Sequence, residues 1–275
     1  MFSAHVETEI RRVAEARGIE PAALLAVVEV ESGGKALTEV GGRPMPLILF
    51  EYHVFHRRLR PEARPGAQRS GLAAARWGEI AYPATQRERY ALLARAALID
   101  REAAHAACSW GVGQVLGENA RWLGYESAEA LAAEAISGVE GQVRLMLRFI
   151  AKRGLEPALA ARDWTAFARG YNGPMHAKHD YAGRMARAHA RWAQARPAPP
   201  APAPIGVGAR GEAVLRVQQA LVALGVRLAL DGEFGAMTGA AVRAFQTRQG
   251  LVRDGIVGPE TLARLESALN DPAAA

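Results

Sequence analysis

Three short segments, far apart in the chain, hold the residue types that could do chemistry together. They are Val30-Glu31-Ser32-Gly33-Gly34, Ser109-Trp110-Gly111-Val112-Gly113-Gln114 and Tyr171-Asn172-Gly173-Pro174. The first puts a carboxyl group at the end of a nearly all-apolar stretch. The second is a glycine-rich turn with a hydroxyl and an amide free to bind. The third offers a phenol and an amide on a permissive backbone. Cleaving a glycosidic bond needs a proton donor still protonated near neutrality, and an apolar surrounding supplies one by disfavouring the charged carboxylate. An acid in a dry setting, facing polar groups suited to sugars, is the equipment of a glycosidase.

The element that must position this acid is a helix. Pro21 suits the first helical position, and Ala22 to Glu31 run without interruption until the glycines stop the helix. A helix apolar on almost every side is buried. Glu31 follows Val28, Val27 and Leu24 by three, four and seven positions and shares their face. Glu29 lies roughly 200° round the helix from Glu31, at about 100° per residue. Periodicity alone does not choose between the two, nor between a buried acid and a helix end pointing into water. Glu51, in Pro46-Leu47-Ile48-Leu49-Phe50-Glu51-Tyr52-His53-Val54-Phe55, is the second candidate carboxylate. It could hold a water or stabilise positive charge on a sugar ring. It could instead anchor a backbone turn or pair with an arginine, the reading preferred here. The segment around it is too mixed to assign to strand or helix.

The order of these motifs carries a resemblance. Residues 20–192 resemble the N-acetylmuramidase domain of bacteriophage endolysins. The resemblance rests on Val30 to Gly34, on Leu49-Phe50-Glu51-Tyr52-His53-Val54-Phe55, on Ser109 to Gln114, and on Asp163-Trp164-Thr165-Ala166-Phe167-Ala168-Arg169-Gly170-Tyr171-Asn172-Gly173-Pro174. The sequence of motifs is also similar to goose-type lysozymes and lytic transglycosylases. The resemblance implies a mainly α, lysozyme-like domain. It implies Glu31 as catalytic acid and Ser109, Gln114, Tyr171 and Asn172 as substrate-binding residues, with Glu51 kept beside Glu31 as a second catalytic candidate on its own chemistry. Gly113, Val115 and Leu116 depart from the usual pattern, which bears on the shape of the cleft rather than on the acid. The implied reaction is hydrolysis of the β-1,4 bond between N-acetylmuramic acid and N-acetylglucosamine. The alternative is a transglycosylase leaving 1,6-anhydro ends. A non-catalytic wall-binding protein would not explain Glu31.

At 275 residues, half of them apolar, the chain has room for two domains with separate cores. No stretch approaches the ~20 apolar residues of a membrane span. The first residues, Met1 to Arg12, contain no apolar run of the secretory type. The expectation is a protein held in the host cytoplasm until released to the cell wall. The single Cys108 excludes an internal disulfide and reads as a small buried residue rather than a nucleophile. His53 with His56, and His176 with His179, lack the spacing and the further ligands of a zinc site, so neither metal nor cofactor is expected.

The net charge of +6 is confined to residues 1–204, since residues 205–275 hold seven arginines and seven acids. Arg57, Arg58, Arg60, Arg64 and Arg69 form one cluster, and Arg184, Arg187, Arg191 and Arg196 another. Such clusters suit transient contact with an anionic envelope surface. A nucleic-acid partner accounts only for the charge and is not expected. Tyr181, Met185, Ala188 and Trp192 mark one face of a closing helix that packs onto its domain.

That helix gives way to a Pro/Ala linker, residues 196–204, extended at about 3.1 Å per residue. Beyond it, Leu230-Asp231-Gly232-Glu233-Phe234-Gly235-Ala236-Met237-Thr238 recurs 23 residues later as Arg253-Asp254-Gly255-Ile256-Val257-Gly258-Pro259-Glu260-Thr261. Each Asp-Gly makes a tight turn ahead of a helix. Residues 206–269 resemble the three-helix peptidoglycan-binding module. The expected organisation is a catalytic domain over 1–195, the linker over 196–204 and a peptidoglycan-binding domain over 205–270. The chain is expected to act as a monomer on peptidoglycan glycan strands.

Overall fold

A computed structural model describes residues 2–195 and 204–270, so most of the linker lies outside the described residues. The described residues divide into two compact units, the first comprising residues 2–40 and 45–195, the second 41–44 and 204–270. Both are mainly α.

The first unit opens with α1 (Ala4–Ala16) and α2 (Pro21–Ser32); next along the chain is a two-stranded ribbon, β1 (Leu37–Val40) with β2 (Arg43–Pro46). Then come β3 (Ile48–Phe50), α3 (Tyr52–Arg58), α4 (Arg64–Arg69), α5 (Gln86–Ala97), α6 (Arg101–Ala106), β4 (Cys108–Trp110) and β5 (Val115–Leu116). The unit closes with α7 (Ala128–Ile136), α8 (Val139–Lys152), α9 (Glu156–Ala161), α10 (Trp164–Asn172) and α11 (Tyr181–Gln194). β3, β4 and β5 form an antiparallel sheet in that order, with Leu49 opposite Ser109 and Ser109 opposite Leu116. The mixed segment around Glu51 is therefore strand then helix, with Glu51 at the break.

Local chemistry sets these boundaries. Thr85 caps α5 reciprocally with Glu88, satisfying two amides that a helix start leaves open. From that helix the Gln86 side chain bonds both Ile48 N–H and Ile48 C=O, which occupies the outer edge of β3. Gly33, at φ +62°, ends α2 in the left-handed region that glycine enters cheaply.

Two apolar clusters fill the unit. One gathers β3, α3, α5, α6 and α7 around Phe50, Phe55, Trp110 and Leu131. The other gathers α1, α2, α8, α10 and α11 around Ile10, Leu24, Val28, Met146 and Phe167. Leu24, Leu25, Val27 and Val28 are fully buried, and each such side chain contributes about 1.5–3 kcal/mol relative to exposure. Met185, Ala188 and Trp192 of α11 are buried in the same cluster. α8 serves both clusters, with Leu145 in the first and Val143 and Met146 in the second. The loop between β4 and β5 runs between them, Trp110 belonging to the first and Val112 to the second.

The second unit is α12 (Glu212–Ala223), α13 (Ala236–Arg248) and α14 (Pro259–Asn270) around buried Phe234 and Phe245. The repeated turns are held from behind by buried glutamines. Gln218 Nε2 donates to Asp231 Oδ1 at 2.7 Å and to Glu233 O at 3.0 Å, and its Oε1 accepts from Gly232 N–H at 2.9 Å. Gln246 repeats the pattern on Asp254 at 2.7 Å, Ile256 O at 2.9 Å and Gly255 N–H at 2.9 Å. Both lie on the apolar face of their helix, where a polar side chain persists only if its hydrogen bonds are met.

Candidate active site

Glu31 stands in the last turn of α2, half-buried, beyond Ala22 to Val28, all of which are buried. Asn172, the last residue of α10, donates its Nδ2 to both carboxylate oxygens, at 3.0 and 3.1 Å. Arg184 of α11 is anchored by the Val30 carbonyl at 3.3 Å and lies over the Tyr181 ring at 5.5 Å. Burial raises the pKa of Glu31 from an ordinary 4.5 to about 7. The Asn172 hydrogen bond and the Arg184 charge pull it back only in part. A helix C-terminus also presents partial negative charge, which opposes ionisation there.

Asn172 Oδ1 is buried and has no partner among the described residues. The amide therefore suits either state of the acid: N–H donated to the carboxylate, or, after half a turn, C=O accepting from the protonated carboxyl. Glu29 has a different task. It accepts from Arg191 and, at 2.7 Å, from Trp192 Nε1, tying α2 to α11.

The glycine-rich loop meets the same corner. Gly111, at φ +66°, donates its N–H to Leu47 O at 2.9 Å; a Cβ there would stand 2.8 Å from Gln142 Cγ. Gln142 is buried on α8, and its Oε1 accepts from Val112 N–H at 3.1 Å. Tyr171 donates its hydroxyl to Gly113 O at 2.7 Å. Burial, then the charge of Glu31, holds that phenol well above its ordinary pKa, so it stays neutral. A Cβ on Gly113 would lie 2.8 Å from Met146 Cβ and 2.9 Å from the Tyr171 hydroxyl. The departure at Gly113 thus lets Tyr171 reach the loop. Gln114 adopts φ +46° and donates its Nε2 to Gly111 O at 2.8 Å, so its amide nitrogen holds the turn and only Oε1 is left to meet a ligand. Ser109 sits mid-strand, half-buried, in the centre of the three-stranded sheet.

Glu51 forms a second, separate cluster. Its N–H donates to Ala107 O at 2.7 Å and its carbonyl accepts from Val54 and Phe55 N–H, each at 3.0 Å. Tyr82 donates its hydroxyl to Glu51 Oε2 at 2.6 Å, and His53 Nδ1 lies 3.5 Å from the same oxygen. Burial and the Glu51 carboxylate push the Tyr82 phenol up to about 12. Of the two structural alternatives, the main chain of Glu51 does anchor a turn, while the carboxylate is met by Tyr82 and His53 rather than by an arginine. Hydrogen bonds pair Glu31 with Asn172 and Tyr171 with Gly113, and the Tyr171–Asn172 peptide joins the two pairs; among the described residues no hydrogen bond joins the Glu51 carboxylate to either pair.

Tyr82 and Gln142 were not singled out from the sequence, and Arg184 was read only as one of a basic surface cluster, not as a neighbour of the acid. Gln142 had a signal, a polar residue three and four positions before Leu145 and Met146 on an apolar face. Tyr82 had none. Cys108 is fully buried and its thiol is pushed up by burial. A cavity of about 520 Å³ lined by Ile19, Glu20, Leu147 and Ala160 opens at the other end of α2, away from the acid.

Residues 20–193 match the N-acetylmuramidase family. The chain belongs to that family. In this muramidase-family chain, residues 210–265 also match a putative peptidoglycan binding domain. It is similar to the crystal structure of Burkholderia AP3 phage endolysin, with 31% identity and a TM-score of 0.59, over 69% of this chain and 71% of that one. It is also 42% identical over 67 residues to the zinc D-Ala-D-Ala carboxypeptidase of Streptomyces albus G. The match covers 23% of this chain and 26% of that protein, so the chain spans about a quarter of that relative's length.

Proposed function

We propose that the chain is a two-domain endolysin that hydrolyses the β-1,4 bond between N-acetylmuramic acid and N-acetylglucosamine in peptidoglycan. The carrying observation is the Glu31 carboxyl, raised to about 7 at the end of a buried helix and held by Asn172. Glu31 gives its proton to the N-acetylglucosamine O4 as the bond to the muramic anomeric carbon breaks. Water then adds its oxygen to that carbon, and the proton it releases restores Glu31. Asn172 stabilises the carboxylate left between these steps. Glu51 Oε1 has no partner among the described residues and would hold the attacking water or face the developing ring charge. Ser109 and Gln114 Oε1 bind sugar, and Tyr171 fixes the loop that carries Gln114.

Residues 1–195 are the catalytic domain, 196–204 the linker and 205–270 the wall-binding domain. The chain works as a monomer from the host cytoplasm, once it gains access to the wall. Among the described residues no helix is long and apolar enough to cross a membrane. Glu31→Gln keeps the shape and removes the donor, so wall lysis should fall at least a hundredfold, given the ~10²–10⁴ that general acid catalysis supplies. Near-normal lysis by the variant would remove Glu31 from the mechanism. Borohydride reduction and mass spectrometry of digests should give reducing N-acetylmuramic acid ends. Predominantly 1,6-anhydro ends would make the enzyme a transglycosylase with the same acid.

A further inference from the structure

The two halves of the second unit share their glutamine-held Asp-Gly turns but not what lies between glutamine and turn. Gln218 precedes Asp231 by 13 positions, whereas Gln246 precedes Asp254 by 8. The first half thus carries five extra residues, partly because α12 runs further past its glutamine, to Ala223, than α13 does, to Arg248, and partly in the segment after the helix. That longer connection walls a cavity of about 790 Å³, completed by the start of α13.

The segment Val226–Leu230 has the character of an unpaired strand. Val226 and Leu228 turn inward onto the core while Arg227 and Ala229 are exposed, the period-2 alternation of an extended chain. The N–H groups of residues 227–230 and the carbonyls of 226–230 make no hydrogen bond among the described residues. Such an edge can pair with a second extended chain. Val222, 37% exposed, and Met237, 72% exposed, supply apolar walls beside it. Asp231 and Glu233 line the same cavity with carboxylates; the hydrogen bond from Gln218 keeps the Asp231 carboxyl below its ordinary pKa, hence ionised. Arg227 lines it with a cation.

We propose that this groove binds the peptide stem of peptidoglycan, laid extended along Val226–Leu230. The proposal rests on the reading of the second unit as a wall-binding domain. Stems match the groove in charge as well as form, carrying carboxylates for Arg227 and a free amine of the diamino acid for Asp231, beside Glu233, which is itself paired with Arg210 at 3.2 Å. The glycan is disfavoured because sugar faces bind on exposed aromatic rings, and residues 205–270 contain only Phe234 and Phe245, both buried.

The test uses the full chain with Glu31→Gln, so that walls survive the assay. The reagents are purified walls, walls stripped of stems by an amidase, and a synthetic stem peptide. Val222→Asp and Met237→Arg, at exposed positions, should each lower wall and stem-peptide affinity at least tenfold without a change in melting temperature. Val252→Asp, 62% exposed on the second half, should leave both unchanged. Unaltered binding by both groove variants, or an equal loss in Val252→Asp, overturns the site. Failure of the parent chain to bind stem peptide, with full retention on stripped glycan, overturns the occupant. Failure of the parent to bind any wall material sinks the wall-binding reading itself.

Discussion

Glu31→Gln should stabilise the first unit at alkaline pH relative to the unmodified chain, even as it removes the proton donor. A carboxyl whose pKa is raised by folding binds its proton more tightly in the native state than in the unfolded one. Its contribution to stability is therefore fullest below about pH 4.5 and is lost as pH rises toward the folded value of about 7. At 1.36 kcal/mol per unit, the loss between pH 5 and pH 8 comes to about 2.5 kcal/mol. Glutamine resembles the protonated acid in shape and never ionises, so it carries no such loss. Near pH 5 the two proteins should melt within a degree or two of each other. By pH 8 the glutamine protein should melt about 5–10 °C higher, at roughly 2–4 °C per kcal/mol for a unit of this size. Calorimetric melts of both proteins at pH 5, 6, 7 and 8 read this directly. Parallel curves, with a gap that does not widen with pH, would refute the claim that burial strains the ionised form.

Three further substitutions probe the same corner. Asn172→Ala removes a hydrogen bond that lowers the Glu31 pKa, so the alkaline limb of the rate profile should move upward while the maximal rate falls; an unmoved limb would mean the amide does not act on the acid. Gly113→Ala drives a Cβ against Met146 and the Tyr171 hydroxyl. It should cost about 1–3 kcal/mol by overpacking and weaken catalysis, whereas a neutral melt with normal rate would show that the loop gives way freely. Glu29→Gln weakens the tie to Arg191 and Trp192; the melting temperature should drop by a few degrees while kcat/KM stays within about twofold, and a large loss of rate would give Glu29 a part in the chemistry.

How much of this was legible in the sequence depends on whether the deciding contact was local. The burial of α2 was legible, because an uninterrupted apolar run from Ala22 to Val28 leaves the helix no polar face, but periodicity left open whether Glu31 at its end shared that burial. The paired Asp-Gly turns were legible as well. Roles set across the fold were not. Gln114 reads as a free amide, yet its nitrogen closes its own turn on Gly111. Glu51 reads as the anchor of a turn or a partner for arginine; its main chain does anchor a turn, but its carboxylate accepts a hydrogen bond from Tyr82, 31 positions away in an irregular stretch, which no local pattern announces. Gln218 and Gln246 look like any helical glutamines until their turns fold over them.

The acidity of Glu31 illustrates why no single motif could specify the site. The buried end of α2 alone would carry the pKa above its value of about 7, leaving an acid reluctant to release its proton. Asn172 and Arg184 oppose that burial from α10 and α11. The value near neutrality is the residue of these opposed effects, and general acid catalysis is most effective when the donor titrates near the working pH. α11 contributes to both sides. Its Met185 and Trp192 pack into the cluster that buries α2, and its Arg184 reaches past Val30 toward the acid. A change in the packing of α11 on α2 would therefore alter desolvation and charge together. The helix that closes the domain is in this sense part of the titration of its acid, although Arg184 donates to the Val30 carbonyl rather than to the Glu31 carboxylate.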